Sequence, residues 1–193
     1  MRNFEYDIMR EIKERWSPRA FSPEAVQEED LRALVEAAGY APSCFNEQPW
    51  RFMLFNEAQE VARLKTYLAA GNQEWNRQVP AYVLFLYDRQ FQHNGKDNPW
   101  AAFDTGTAWG FLSLEAHRRK LITHAMAGFS RKALAEALEI PESLEIIALV
   151  AVGKYGDPSA LPEAIQAREK PGSRRTIDES LFKGHLKENK KPL

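Results

Sequence analysis

The sequence predicts a layered fold mixing α-helices and β-strands, and three observations carry that expectation. Residues 81–87 form an unbroken apolar run, and residues 146–152 form a second. Runs of this length without polar alternation suit strands covered on both faces. Around them, apolar residues recur at helical spacing, which supplies amphipathic helices to do the covering.

Taken in order, Phe4, Ile8 and Ile12 are four residues apart and predict a first helix. It must end near Trp16, Ser17 and Pro18, because the proline ring restricts the residue before it. A second helix starts near Glu28 with Leu31, Leu34, Val35 and Ala38 on one face. Gly39 is expected to close it in the left-handed conformation. Residues 41–50 read as a loop, 50–55 as a strand and 57–69 as a helix, followed by the strand at 81–87. Residues 100–120 predict a long helix with Phe103, Phe111 and Leu114 among the small residues Gly106, Ala108 and Gly110. Two glycines cost a helix about 1 kcal/mol each, so a close approach of another helix or a flat ligand is expected there. Residues 123–130 read as a loop, 131–138 as a short helix and 145–153 as the third strong strand. No internal repeat is present.

Composition narrows the classes of function. Of 193 residues, 26 are Lys or Arg and 27 Asp or Glu, a net charge of −1, and 44% are apolar. A dedicated nucleic-acid binder needs a basic excess that is absent here, and a disordered chain would be poorer in apolar residues. The single cysteine, Cys44, allows no internal disulfide, which leads us to expect a reducing, cytoplasmic setting. No apolar run is long enough to span a bilayer, and the first residues carry no apolar signal core. Residues 154–193 differ from the rest, with nine Lys or Arg against six Asp or Glu and scattered apolar residues. Leu181 and Phe182 suit a tail that docks, and a partner's tail could add a strand to a small sheet. We therefore expect one domain, with a core at 1–153 and an extension at 154–193 that wraps a second subunit.

Nucleotide-binding glycine motifs, nucleophile elbows and zinc-protease signatures are absent. His93, His117, His124 and His185 show no metal-ligand spacing with one another or with Cys44. More informative is the run Arg15, Trp16, Ser17, Pro18, Arg19. In an extended segment Arg15, Ser17 and Arg19 face one side, and two guanidinium forks with a hydroxyl suit a phosphate. The alternative is a solvated turn with weak surface ion pairs. Arg174 and Arg175 form a second basic pair, either a phosphate clamp or a basic tail. Pro42, Ser43, Cys44, Phe45, Asn46, Glu47 and Gln48 offer neutral groups that could read a heterocycle edge, or simply make turns. Asn76 has the same two readings. The segment His124, Ala125, Met126, Ala127, Gly128, Phe129 reads as a small apolar loop that exposes backbone N–H groups to a planar ligand.

These segments, with Asp104, Thr105 and Gly106, resemble the FMN-dependent nitroreductase family in order and spacing across about the first 155 residues. The resemblance implies an α+β fold, with a central, mostly antiparallel sheet flanked by helices and extended by a C-terminal strand exchanged between subunits. It implies a homodimer with FMN at the subunit interface, NADH or NADPH as electron donor, and a small-molecule acceptor. Arg15, Trp16 (through its backbone), Ser17 and Arg19 would hold the phosphate and ribityl chain, completed by Arg174 or Arg175. Pro42, Ser43, Cys44 and Asn46 would line the isoalloxazine from the other subunit, with Gln48 nearby. Asn76 would bond the pyrimidine edge, and Met126, Ala127 and Gly128 would lie along the ring.

The implied activity is hydride transfer through flavin N5 to a nitroaromatic, quinone or similar acceptor by a ping-pong mechanism, with no catalytic side chain. Dehalogenation, enoate reduction, flavin destruction or flavin binding without turnover are the alternatives on the same scaffold. Two departures stand out: Ala127 replaces a Glu found in some members, and the Arg118, Arg119, Lys120 run replaces a glycine-rich helix end. A basic run there would favour an acidic substrate or the extra phosphate of NADPH.

Overall fold

A computed structural model describes residues 4–184. Four strands, β1 (Trp50–Phe55), β2 (Ala81–Asp88), β3 (Ile122–Met126) and β4 (Leu144–Gly153), form one sheet in the order β1-β2-β4-β3. Every pairing is antiparallel, with a bulge between Phe85 and Leu86 against β4. β2 and β4 are central, which explains their continuous apolar sequences: both faces are covered.

Side-chain alternation sends each central strand into two cores. Ala81, Val83 and Phe85 of β2 and Val150 and Val152 of β4 meet Leu31, Leu34 and Ala38 of α2 (Glu28–Gly39). Ala108, Leu112 and Ala116 of α5 (Ala101–Arg118) join them. On the other face, Tyr82, Leu84 and Leu86 and Leu149 and Ala151 meet Val61 and Leu64 of α3 (Ala58–Lys65), together with Trp75. Leu134 of α6 (Arg131–Ala137) completes this core. α1 (Arg10–Glu14), α4 (Ala70–Gln73) and α7 (Glu163–Gln166) are single short turns.

Several expectations need correction. The first helix is only five residues long, and Phe4, Ile8 and Ile12 are exposed. An isolated helix that short has too little packing to extend it. Gly39 stays helical, and no left-handed residue follows it. The left-handed helix end is instead at α5, where Lys120 has φ 60 and Leu121 N–H reaches back to the Ala116 carbonyl. Residues 123–126, expected as loop, belong to the edge strand β3. Its sequence, Ile-Thr-His-Ala-Met, has little apolar alternation, and pairing with β4 decides its conformation. The helix expected at 57–69 ends at Lys65. Among the described residues, nothing outside the helix's own backbone lies within 4 Å of a side chain built at Gly106 or Gly110, so no described part of this subunit makes the expected close approach.

Residues 154–169 pack on their own subunit, with Leu161 in the core and Phe21 bridged to Tyr155. Farther on, Ile177, Leu181 and Phe182 are exposed. Among the described residues no helix is long and apolar enough to cross a membrane.

Candidate functional site

The Arg15–Arg19 segment leaves α1 in an extended conformation. Arg15 Nη2 lies 3.5 Å from Ser17 Oγ, so these two side chains do share one side. Arg19 is half-buried, and among the described residues no carboxylate is within ion-pair distance of its guanidinium. Burial, and then the nearby Arg168, lower its affinity for its proton, while Glu169 opposes them. A half-buried cation with no ion pair among the described residues, beside a second cation, has an environment that an anion would relieve.

The segment has no ladder of its own and is held from outside. Ser22 N–H donates to the Lys154 carbonyl (2.9 Å), and Gly156 N–H donates to that of Ala20 (2.8 Å). The Glu169 carboxylate accepts from Arg19 N–H (2.9 and 3.0 Å) and Ala20 N–H (2.9 Å). His124 on β3 donates from Nδ1 to the Pro18 carbonyl at 2.9 Å, which sets its neutral tautomer. Its ring packs at 4.5 Å on Trp75, which also stacks on Phe21. A cavity of about 370 Å³ adjoins the segment, lined by Arg15, Trp16, Pro18, Thr123, Tyr155 and Glu169 among others.

Burial and the Arg19 charge hold His124 below its ordinary value of 6.5, against the pull of the Pro18 carbonyl. Its folded pKa being lowered, the neutral ring's contribution to stability is complete above about pH 6.5 and lost as pH falls through the lowered value. Thermal melts of the native chain should therefore drop between about pH 7 and pH 5, before most carboxylates protonate. His124→Gln, whose amide can still donate to Pro18, should flatten that part of the curve, and equal slopes for both proteins would refute the assignment.

β3 runs into the segment that carries Ala127 and Gly128. Both are exposed, and their N–H groups take no acceptor among the described residues. Gly128 packs tightly: its carbonyl accepts from Ala69 N–H (3.0 Å) and Asn72 Nδ2 (2.9 Å), and a Cβ there would sit 2.7 Å from Asn72 Nδ2. Met126, by contrast, is buried, with its sulfur 3.4 Å from Asn76 Nδ2.

Asn76 is also a core residue, 1% exposed, and both ends of its amide are engaged. Tyr82 O–H donates to its oxygen (2.8 Å), and its nitrogen donates to the Asn72 carbonyl (2.7 Å). Burial pushes the Tyr82 hydroxyl up, so this donor stays protonated. Asn72, four residues earlier in the same Gly-Asn-Gln segment, is half-buried beside Gly128. Its Nδ2 donates to the Gly128 carbonyl and its Oδ1 accepts from Trp75 Nε1 (3.3 Å), and no sequence signal sets it apart from Asn76. Glu169 was also missed, since no sequence signal joins it to Arg19 across 150 residues.

Residues 42–48 form a separate structure. Phe45, Asn46 and Gln48 all have left-handed φ (55, 55 and 51), which non-glycine residues adopt only when their surroundings impose it. Cys44 N–H donates to buried Asp104 of α5 (3.0 Å), Gln48 N–H to Ser43 Oγ (3.0 Å) and Gln48 Nε2 to the Asn46 carbonyl (3.1 Å). Glu47 is bound to the next hairpin through Gln92 and His93. Pro42, Phe45 and Asn46 project outward, Phe45 being 81% exposed. Ser43 and Gln48 thus serve the loop itself, and Cys44 is half-buried in it.

Arg174 and Arg175 are exposed, and Arg174 folds back on the Ser173 carbonyl (2.9 Å). The basic run at the end of α5 is neutralised locally: Arg118 and Arg119 pair with Glu115, and Arg119 also with Asp30. Two of the run's three cations are thereby paired, with Lys120 exposed beside them, which weakens the case for recruiting an acidic substrate or the NADPH phosphate. His93 and His117 pair with Glu47 and Glu14 at the surface, while His185 lies outside the described residues. Among the described residues no cluster of side chains could hold a metal ion.

The model of the nitroreductase family matches residues 12–78 and 67–154. A solved structure described as an oxidoreductase containing FMN superimposes with a TM-score of 0.91 at 30% identity, covering 96% of each chain. A protein of Archaeoglobus fulgidus, given the provisional name NADH dehydrogenase/NAD(P)H nitroreductase, is 26% identical over 82% of this chain and 91% of its own. The FMN reductase [NAD(P)H] of Bacillus subtilis is 25% identical over 80% and 68%. Two further curated relatives are matched over only 58% and 34% of their own lengths. With the antiparallel sheet, its flanking helices and these matches in hand, the chain belongs to the nitroreductase family.

Proposed function

We propose that this protein is an FMN-dependent oxidoreductase that passes hydride from NAD(P)H to an electron-poor acceptor such as a nitroaromatic or a quinone. The observation that carries this reading is the Arg19 guanidinium, half-buried with no carboxylate in ion-pair distance among the described residues, on the same extended segment as the Arg15–Ser17 pair. A phosphate monoester with close to two negative charges meets its needs. The neutral end of the site fits as well, since the exposed Ala127 and Gly128 N–H groups take no acceptor among the described residues, with Asn72 packed against Gly128. When bound, FMN supplies the two-electron chemistry, and the protein supplies placement and electrostatics.

In this reading Arg15, Ser17 and Arg19 grip the phosphate, with Trp16 contributing its backbone and Arg174 or Arg175 reaching in from the tail. Ala127 and Gly128 N–H face the ring. Asn72 takes the role expected of Asn76, because it is half-buried beside Gly128 while Asn76 is sealed in the core. Of the 42–48 loop, outward-facing Pro42 and Asn46 with half-buried Cys44 serve a second copy's site in a homodimer, while Ser43 and Gln48 brace the loop. Phe103 (72% exposed), Gly106, Gly110 and Phe111 support this, forming an uncovered apolar strip along α5. The tail beyond about residue 170, with exposed Leu181 and Phe182, is the segment we assign to the partner's surface.

The test is the visible spectrum of the purified protein before and after anaerobic NADH or NADPH. A flavin spectrum that bleaches, returns when a nitroaromatic or quinone is added, and travels with a species of twice the chain mass is expected. A colourless chain that takes up no FMN, or a bound flavin that neither donor reduces, refutes the function.

A further inference from the structure

The phosphate-facing segment raises a question of its own. Residues 15–20 belong to no helix or strand, yet they must hold Arg15, Ser17 and Arg19 in register before a ligand arrives. Ordering each such residue costs about 1–2 kcal/mol. The bonds from Ser22 and Gly156 hold only the end of the segment, and His124 holds Pro18. Between these anchors, one carboxylate spans two consecutive amides, Arg19 and Ala20, at 2.9–3.0 Å. Hydrogen bonds from N–H to an ionised carboxylate are roughly twice as strong as neutral ones. Glu169 lies 150 residues from Arg19 in sequence, so this grip is a tertiary feature and no local turn. It is also selective: Glu169 takes the backbone and makes no ion pair with the Arg19 guanidinium, which stays available.

We propose that Glu169 is the positioning residue of the phosphate receptor, gripping the Arg19 and Ala20 amides so that the Arg15, Ser17 and Arg19 side chains converge on one anion. The inference rests on the FMN reading above. It has a signature that a general structural role lacks, because riboflavin carries the same ring and ribityl chain without the phosphate. Loss of the grip therefore weakens FMN and leaves riboflavin alone.

The experiment titrates flavin-free full-length protein with FMN and with riboflavin, for the native chain, Glu169→Ala, Glu169→Gln and Arg19→Ala. Glu169→Ala should weaken FMN by about tenfold with riboflavin unchanged. Glu169→Gln, which keeps one carbonyl acceptor in the same shape, should fall between and guards against a misfolded alanine variant. Equal losses for both flavins, unchanged FMN affinity, or tighter FMN binding from a carboxylate that merely competes with phosphate would each overturn the proposal. If Arg19→Ala loses discrimination while both Glu169 variants keep it, only the role of Glu169 falls. If Arg19→Ala keeps it, Arg19 is not part of the phosphate site and the Glu169 proposal falls with it, while the FMN-dependent function stands or falls on the spectral test alone.

Discussion

Replacing Arg19 with alanine is expected to weaken FMN retention by about 1.5–3 kcal/mol, or roughly 10- to 150-fold in Kd. The reason is the asymmetry of its surroundings. Most arginines at a protein surface either point into water or share a carboxylate, and their removal changes little. Arg19 does neither: it is half-buried, Arg168 disfavours its charge, and the nearest carboxylate is committed to backbone amides. Such a cation gains most from a ligand anion, so its loss should fall on binding and hardly at all on folding. Purified Arg19→Ala should emerge largely colourless with a melting temperature near that of the native apoprotein. Native-like flavin content after gel filtration would remove Arg19 from the site.

Gly156→Ala is expected to have the larger effect on the fold. A Cβ at this position would lie 2.6 Å from both the carbonyl carbon and oxygen of Phe21, and 2.7 Å from Ser22 N. These are backbone atoms, so relief requires the strands of chain to part. Parting them breaks the Gly156 to Ala20 hydrogen bond and strains the Phe21–Tyr155 bridge. Overpacking of this kind costs about 1–3 kcal/mol and occasionally more. In a chain of this size that lowers the melting temperature by roughly 3–10 °C. FMN affinity should fall together with stability, because the displaced residues are the continuation of Arg15–Arg19. A Gly156→Ala protein that melts and binds FMN like the native chain would show that the crossing is looser than the structure describes.

The two variants separate roles that a single loss of colour would merge. Arg19 acts on the ligand through charge, whereas Gly156 acts through the space in which the ligand-holding segment is laid down. Gly128 is a third kind of position. There the clash is with the Asn72 side chain, which can rotate away and surrender its bond to the Gly128 carbonyl.

The residues of this chain carried much of the fold openly. β1 is predicted to the residue, and β2 and β4 to within one. α2 and α5 follow from apolar spacing, and the core residues of α2 are those on its predicted face. These elements share a cause: each buries a long stretch, so burial must be written into every second or every third to fourth residue. The segment from Arg15 to Arg19 was legible for a different reason, since two guanidiniums and a hydroxyl at alternate positions have few uses in so short a run.

What the tertiary structure alone decided is of another kind. β3 is an edge strand of five residues whose pairing with β4 outweighs its weak pattern. Asn76 and Asn72 are equivalent in the sequence, and only the packing of Tyr82 and Met126 sends the first into the core and leaves the second beside Gly128. Arg118 and Arg119 look like a basic patch until Glu115 and Asp30 are seen to neutralise them. Glu169 has no local feature at all to mark it. Periodicity reports which face of an element is buried, and so the sequence by itself determined the layers and singled out the two arginines proposed to face a phosphate. It carries no record of which distant backbone amide a carboxylate will meet, because that depends on where two parts of the chain cross.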